Sequence, residues 1–291
     1  MATRVATTTL HSQSLVRRKQ LKKLLVSGVA LVYLFVVLLP LYWMLRSSIS
    51  ENSEMYGVAI QFFPSKLTLA QYDQAWNKWR FGQFLGNTIT VAVLTTLLTT
   101  VMASLAAFSL TRLRYPGRKA LARSILFVYL IPGGLVFIPL FIVMSQLGLL
   151  NSLLSLIVTY QTFAIPFCTW MLIGYFKGIP IELEEAALID GCTRLGAMWR
   201  VLLPLAAPGM VAAAIFTFTL SWKEFLYALI LINNNSAKTL PVGLASLIRG
   251  DIYLFGPMMA GSVMAAVPVM ILYMVGQRFV VAGLAAGAVK G

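Results

Sequence analysis

The sequence predicts an all-α membrane protein with six transmembrane helices. Of its 291 residues, 59% are hydrophobic and 11% are charged, whereas a soluble domain carries about 25% charged residues. Six apolar runs are each long enough to cross about 30 Å of hydrocarbon, which takes roughly 20 helical residues. Lys and Arg are concentrated in alternate connections between these runs, as expected of a chain that crosses a membrane repeatedly.

The apolar runs divide the chain into a basic N-terminal tail, a helical domain and a short C-terminal tail. We place these at residues 1–23, 24–281 and 282–291. The runs lie at 24–45, 85–110, 124–147, 153–175, 208–232 and 257–281. The first run lacks a small-residue cleavage site, so we interpret it as an uncleaved span. Between the first two runs, residues 50–80 are expected to form a small interfacial cap.

The basic residues predict the orientation of the chain. Sixteen Lys and Arg fall in residues 1–23, 111–123, 176–207 and 278–291, and six fall in residues 46–84, 148–152 and 233–256. The positive-inside rule therefore places both termini in the cytoplasm. The net charge of +14 reflects this topology and does not indicate nucleic-acid binding.

The connection 176–207 is predicted to form a helix-turn-helix on the cytoplasmic membrane surface. Pro180 can occupy the first helical position. Carboxylates then fill the first turn, where the helix dipole favours them, at Glu182, Glu184 and Glu185. Gly191 is predicted to end this helix in a left-handed conformation, and Thr193 to cap a second helix that Pro204 stops. One face of the first helix is predicted to carry little bulk, at Leu183, Ala186, Ala187 and Asp190.

This loop resembles the EAA loop of ABC importer permeases. The residues that carry the resemblance are Glu185-Ala186-Ala187, Gly191 after three residues, and Val201-x-Leu203-Pro204 after nine more. Ser221–Phe225, with the sequence SWKEF, and Gln277–Gly291 resemble the MalG-like permeases of carbohydrate importers. The resemblance implies a fold like that of a type I ABC importer permease, with the loop as the coupling helix. Residues implied for ATPase coupling are Glu184, Glu185, Ala186, Ala187, Asp190, Gly191, Leu203 and Pro204.

The resemblance also implies a function and a set of partners. The chain would be the permease subunit of an ATP-driven, binding-protein-dependent sugar importer in a bacterial or archaeal cytoplasmic membrane, and would form half of the translocation pathway. Its partners would be a second permease subunit, two copies of an ATPase subunit and an extracytoplasmic solute-binding protein. The C-terminal tail, including Lys290, would lie between the two ATPase subunits.

Catalytic motifs are missing from the sequence. The phosphate-binding pattern G-x-x-x-x-G-K-[ST] is absent, so ATP hydrolysis would belong to a separate subunit. His11 is the single histidine, which excludes a histidine-based triad or a multi-histidine zinc site. We expect no cofactor, no metal and no nucleic acid. An ion-coupled secondary carrier of a small polar solute remains the alternative, although Glu224 is the only carboxylate within a predicted span.

Lys223 and Glu224 are charges at membrane depth, where each costs about 2.5–3.5 kcal/mol. Because adjacent helical residues point about 100° apart, each needs its own partner. They either face the translocation pathway or make ion pairs or hydrogen bonds between helices. The same alternatives apply to the other candidate pathway residues, Asn87, Gln161 and Tyr227.

Two further features leave alternatives open. The extracytoplasmic loop 233–256 is either a solvated connector or, as in maltose-type permeases, a loop that reaches the solute-binding protein. By resemblance, the contacting residues would be Asn234, Asn235, Lys238 and Thr239. Prolines within the predicted spans are either packing kinks or bends that line the pathway. Of these, Pro132, followed by Gly133 and Gly134, is expected to break its helix.

Overall fold

A computed structural model describes residues 2–57, 61–249 and 252–288 of the chain. Over these residues the fold is helical apart from one pair of two-residue strands. The first half comprises α1 Ala2–Ser48, α2 Asn52–Met55, α3 Ala70–Asp73 with a π-helical turn at Gln74–Lys78, α4 Phe81–Arg112, α5 Arg118–Leu130 and α6 Gly133–Gln146.

The second half contains the connection between the fourth and fifth apolar runs and the C-terminal helix. Its elements are α7 Leu153–Gly178, α8 Glu182–Ile189, α9 Arg194–Ala197 with a π-helical turn at Met198–Leu202, α10 Leu203–Leu205, α11 Ala207–Lys223, α12 Leu226–Leu231, α13 Leu240–Ala245, β1 Ile248–Arg249, β2 Ile252–Tyr253 and α14 Phe255–Ala288. The two strands pair antiparallel. Residues 289–291, and Lys290 with them, lie outside the described residues.

Fewer continuous spans are present than the six apolar runs predict. Four helical stretches in the described chain are long and apolar enough to cross a membrane, at Lys19–Ser48, Phe81–Arg112, Leu153–Gly178 and Phe255–Gln277. A fifth candidate is the pair Arg194–Leu205 and Ala207–Lys223, which is bent by 79°. Two of the six predicted runs are therefore interrupted, one at the break expected at Pro132 and the other at Glu224, where the sequence predicts none.

The interruptions have local causes. The run 124–147 is split between α5 and α6, where Pro132 has an extended ψ of 122° and precedes the first residue of α6. The run 208–232 is split between α11 and α12, where Glu224 is extended and Phe225 is non-helical. At 14 residues, α6 is shorter than the roughly 20 residues that a span requires.

Three membrane helices form the centre of the bundle. Helix α4 packs against α7 and α11, and α11 also packs against α7 and α14. Helix α1 packs on α14, and none of its most apolar window is buried, as expected of a helix facing lipid. The buried residues near the segment between α7 and α11 include Phe108, Leu172, Phe176, Met198 and Leu202.

The segment between α1 and α4 is bonded to the end of α1. Glu54 of α2 accepts a hydrogen bond from Arg46 of α1 at 2.8 Å, and both side chains are buried. The hydroxyl and backbone N–H of Ser65 also donate to the Glu54 carboxylate. The hydrogen bond from the Ser65 hydroxyl is the main reason that the pKa of Glu54 is lowered from its ordinary value.

The close contact between α7 and α11 yields a stability prediction. A Cβ added at Gly209 would lie 2.5 Å from Cγ of Tyr175, whereas a Cβ added at Gly174 would meet nothing within 4 Å. Gly209→Ala is expected to lower the free energy of unfolding by about 1–3 kcal/mol through overpacking. Thermal unfolding of the purified protein in detergent would measure this. Gly174→Ala is the matched control and is expected to unfold no earlier than wild type, since alanine favours a helix. Equal destabilisation by both changes would contradict the close contact.

Candidate functional site

The loop between α7 and α11 has the turn that the sequence predicts. Gly191 has φ +87°, in the left-handed region, and ends the helical segment after α8. The Thr193 hydroxyl accepts a hydrogen bond from the backbone N–H of Gly196 at 3.1 Å and caps α9. Two boundaries differ from the prediction. Helix α8 begins at Glu182, two residues after Pro180, and the chain remains helical through Pro204 before it bends at Ala206.

A buried ion pair fixes this loop to the membrane helices. Arg112, in the last turn of α4, donates from Nε to a carboxylate oxygen of Glu184 in α8. Its Nη2 donates to the backbone carbonyls of Phe176 and Ile179 at 2.8 Å each. The side chains of Arg112 and Glu184 are each 9% exposed. One guanidinium therefore joins α4, the end of α7 and the start of α8.

The electrostatics of this contact favour the arrangement. The carbonyls at the C-terminus of α7 carry a partial negative charge, which complements the guanidinium of Arg112. Glu184 lies in the first turn of α8, where a carboxylate is stabilised by the helix dipole. Removing one partner of such a buried pair leaves an uncompensated charge, which typically costs about 3–5 kcal/mol.

The structure divides the residues expected to couple to an ATPase into two groups. Glu184, Ala187 and Leu203 are buried against the rest of the chain. Glu185, Ala186, Asp190, Gly191 and Pro204 are exposed. The expectation that Ala187 lies with Leu183, Ala186 and Asp190 on one open face is wrong, because Ala187 is on the inward side of α8.

The outward surface of the loop is apolar and bulky. Its large side chains are exposed at Leu183, Ile189, Leu195 and Trp199. Ile189 is 86% exposed, the highest value among these residues. The same loop carries exposed charged residues at Glu185, Asp190, Arg194 and Arg200. We call these eight residues the loop surface. The predicted low-relief face is thus replaced by a surface that carries protruding apolar groups.

Glu224 links the interrupted membrane helices. Its carboxylate accepts hydrogen bonds from the Tyr160 hydroxyl of α7 at 2.8 Å and from the backbone N–H groups of Tyr227 and Ala228 at 3.0 and 3.1 Å. The carboxylate therefore accepts from backbone N–H groups in the first turn of α12, which have no partner within that helix. The hydroxyl of Tyr227 donates to the backbone carbonyl of Gly133 at 2.8 Å, which connects this break to the one before α6.

Other candidate pathway residues also make bonds within the chain. The Asn87 amide donates to the carbonyls of Ser236 and Lys238 at 2.8 and 2.9 Å. The carbonyl oxygen of Gln161 accepts from the Thr99 hydroxyl at 2.8 Å. Tyr227 is buried. Asn87, Gln161, Tyr227 and Glu224 each have hydrogen-bond partners within the chain. Their presence in the membrane helices therefore does not require a ligand. Lys223 is exposed and differs from them.

The loop after α12 is anchored rather than free. Asn151, with φ 63°, accepts hydrogen bonds at its Oδ1 from the backbone N–H groups of Asn233 and Asn234. Asn234 and Asn235 are exposed, whereas Thr239 is 3% exposed and cannot contact a separate protein in this conformation. Lys238 is half-buried. Part of the predicted loop, residues 250 and 251, lies outside the described chain.

Sequence reasoning missed three anchoring residues. In the sequence, Arg112 is one of several basic residues in a connection, and Tyr160 lies in an apolar run. Asn151 lies in a short connection without a recognisable motif. A signal for Arg112 did exist, since an arginine in the last turn of a helix can bind carbonyls and carboxylates. Its partner could not be identified, because Glu184 is 72 residues away in sequence.

Comparisons with known proteins give a consistent family and fold. Residues 99–284 match the family described as binding-protein-dependent transport system inner membrane component. The chain is 41% identical to the sulfoquinovosyl glycerol transport system permease protein SmoH of Agrobacterium fabrum, over 87% of this chain and 89% of the relative. It is 32% identical to the trehalose/maltose transport system permease protein MalG of Thermococcus litoralis, over 94% and 99%. A bacterial ABC transporter involved in the import of the acidic polysaccharide alginate has the same fold, with a TM-score of 0.77 at 24% identity over 88% of this chain and 95% of that chain.

Loss of the Arg112 contact is expected to destabilise the protein. Arg112→Ala and Glu184→Ala should each lower the free energy of unfolding by about 3–5 kcal/mol, because each leaves a buried charge unpaired. Thermal unfolding in detergent would measure the loss. Arg114→Ala is the matched control, since Arg114 is exposed two residues away, and should change stability by no more than about 0.5 kcal/mol. An Arg112→Ala variant as stable as this control would disprove the anchoring role.

Proposed function

We propose a coupling mechanism for this chain, which belongs to the family of binding-protein-dependent transport system inner membrane components. The chain is the permease subunit of an ABC sugar importer and is a transport component rather than an enzyme. It is a multi-pass protein of the inner membrane. A transporter of this class works with an ATPase and an extracytoplasmic binding protein. The proposal concerns how the chain crosses the membrane and how it responds to the ATPase.

In this proposal the chain crosses the membrane six times. Helices α5 and α6 together make the third crossing, and α11 and α12 together make the fifth. The hydrogen bond between Tyr227 and Gly133 supports the assignment, because it joins the two breaks. Both termini then face the cytoplasm, in agreement with the distribution of Lys and Arg. A second permease subunit supplies the other half of the pathway, and two ATPase subunits bind from the cytoplasm.

The loop surface is the proposed ATPase contact. An exposed apolar patch with a charged rim is the usual composition of a surface that binds another protein. Ile189 and Trp199 are exposed apolar residues of this loop, and Asp190 and Arg200 are exposed charged residues of it. Of the residues expected to couple to the ATPase, Glu185, Ala186 and Gly191 would contact it directly. Glu184 and Ala187 are buried and would support the loop from its inner side.

The observation that carries the proposal is the Arg112 contact directly behind this surface. A force applied to α8 reaches α4 through Glu184 and Arg112, and it reaches the end of α7 through the same guanidinium. Closure of the ATPase subunits would move the loop inward and rotate the helices that it is tied to. The pathway would then open outward, where the binding protein releases sugar, and ATP hydrolysis would reset it.

The breaks in the membrane helices are the proposed points of bending. At each break the backbone leaves the helical path, so φ and ψ can change there without unravelling a continuous helix. The hydrogen bonds of Glu224 keep the segments in contact during such a movement. Because all three of these bonds lie within the chain, Glu224 is a poor candidate for a coupling-ion ligand. This argues against the alternative of an ion-coupled carrier.

The extracytoplasmic loop is the proposed contact for the binding protein. Asn234 and Asn235 are exposed, and the backbone around them is held by Asn151 and Asn87. A loop that is exposed but anchored can contact a partner without losing much conformational entropy. Thr239 is not part of this contact, since it is buried. The carbohydrate substrate is supported by the named substrates of the relatives, which include sulfoquinovosyl glycerol and trehalose/maltose.

Changing the loop surface is expected to prevent ATPase binding without unfolding the permease. Ile189→Arg puts a charge on the most exposed apolar residue of the loop surface, and copurification of the ATPase should fall at least about tenfold, the equivalent of 1.4 kcal/mol. Leu69→Arg is the matched control, because Leu69 is 70% exposed in the extracytoplasmic cap. Copurification that is unchanged by Ile189→Arg would contradict the proposed contact. Ala187→Arg would be uninformative, because a buried site would be disrupted.

A further inference from the structure

Lys223 is the one residue of α11 whose side chain is exposed. Every other residue of this helix is buried or half-buried. The preceding Trp222 is buried, donates from Nε1 to the carbonyl of Ala265 at 3.1 Å, and stacks on Phe218. These contacts fix the rotation of the helix about its axis. Lys223 therefore points away from the packed bundle.

In the proposed topology Lys223 lies within the fifth crossing, between α11 and α12. It precedes Ile232, where α12 has ended, by nine residues. A charge that faces lipid within a crossing is strongly disfavoured, and ionisable residues in membrane segments normally face a water-filled cavity or another protein group.

Glu224 does not neutralise Lys223. The Glu224 carboxylate is turned towards Tyr160 and the first N–H groups of α12, and it already accepts three hydrogen bonds. Within the described residues Lys223 makes no ion pair. No other charged residue occurs in the sequence between 201 and 237. The ammonium group is thus an uncompensated positive charge on the open face of α11.

Lys223 lies at a break between two helices. It is the last residue of α11, immediately before the break at Glu224 and Phe225, and the adjoining Tyr227 reaches the second break at Gly133. Interrupted helices are tolerated in a membrane only where protein or a water-filled cavity satisfies the freed backbone groups, and transporters place substrate sites at such breaks.

We propose that Lys223 lines the translocation pathway and binds an anionic group of the transported sugar. The substrate class is then a sugar that carries a carboxylate, a sulfonate or a phosphate. A lysine ammonium has three donors and no acceptor, and in a region of low dielectric it attracts an anion far more strongly than a neutral hydroxyl. This inference rests on the proposed function, since it requires that the open face of α11 line the pathway.

The test uses the complete transporter, with the second permease, the ATPase and the binding protein, in proteoliposomes. The probe is a pool of matched glycosides: methyl glucoside and glucosylglycerol, each with its uronate, 6-sulfonate and 6-phosphate. Uptake of each compound is measured by mass spectrometry. Anionic members should accumulate in preference to the neutral ones. Lys223→Gln should lower their uptake about tenfold or more, the effect of losing a hydrogen bond to a charged group. Lys223→Arg should retain most of the uptake.

Controls separate the outcomes. Lys119→Gln removes an exposed positive charge outside the pathway and should leave uptake unchanged. Uptake without preference for anionic members overturns the inference, as does uptake of none of them while the binding protein still stimulates ATP hydrolysis. If Lys223→Gln prevents copurification of the second permease, the lysine pairs with an acid of that subunit, and the inference fails. If the binding protein does not stimulate ATP hydrolysis by the wild-type complex, the proposed function itself is overturned, and the inference with it.

Discussion

Arg112 binds groups from two other elements at once, and the position of the loop between α7 and α11 depends on these bonds. Its guanidinium reaches the carbonyls of Phe176 and Ile179 and the carboxylate of Glu184. A planar guanidinium with several donors is suited to this task, whereas a lysine could not reproduce the geometry. Without it, α8 would lose its ion pair with α4. With it, the loop and the ends of α4 and α7 are held as one unit beneath the exposed apolar surface.

Polar side chains also satisfy backbone groups at the breaks in the membrane helices. Glu224 and Tyr227 supply the hydrogen bonds that a continuous helix would otherwise make within its own backbone. Asn87 and Asn151 make corresponding hydrogen bonds to the backbone of the loop after α12. Because unsatisfied backbone groups are costly in lipid, breaks can occur only where such side chains are present. Lys223 differs, because its charge has no ion-pair partner in the described chain, and this is why we propose that it lines the pathway.

Local chemistry was predictable from the sequence, and long-range contacts were not. The turn at Gly191 and the cap at Thr193 follow from the conformational freedom of glycine and the acceptor capacity of threonine, and both are present. The break before α6 was also foreseen from proline. The break at Glu224 was missed, because hydropathy does not register a side chain that caps a second helix. The burial of Ala187 was missed as well, since helical spacing defines faces without saying which one packs inward.

The distance between the loop and the end of α4 tests the rigid connection most directly. Cys192 and a cysteine placed at Arg114 can carry spin labels, while Cys168 is fully buried and should not react. Pulsed electron paramagnetic resonance would measure the label-to-label distance in the whole transporter, without nucleotide and with ATP trapped. A rigid connection predicts the same distance distribution in both states. A shift of about 5 Å or more, one helical turn, would show that the loop moves independently of α4 and would contradict the coupling mechanism.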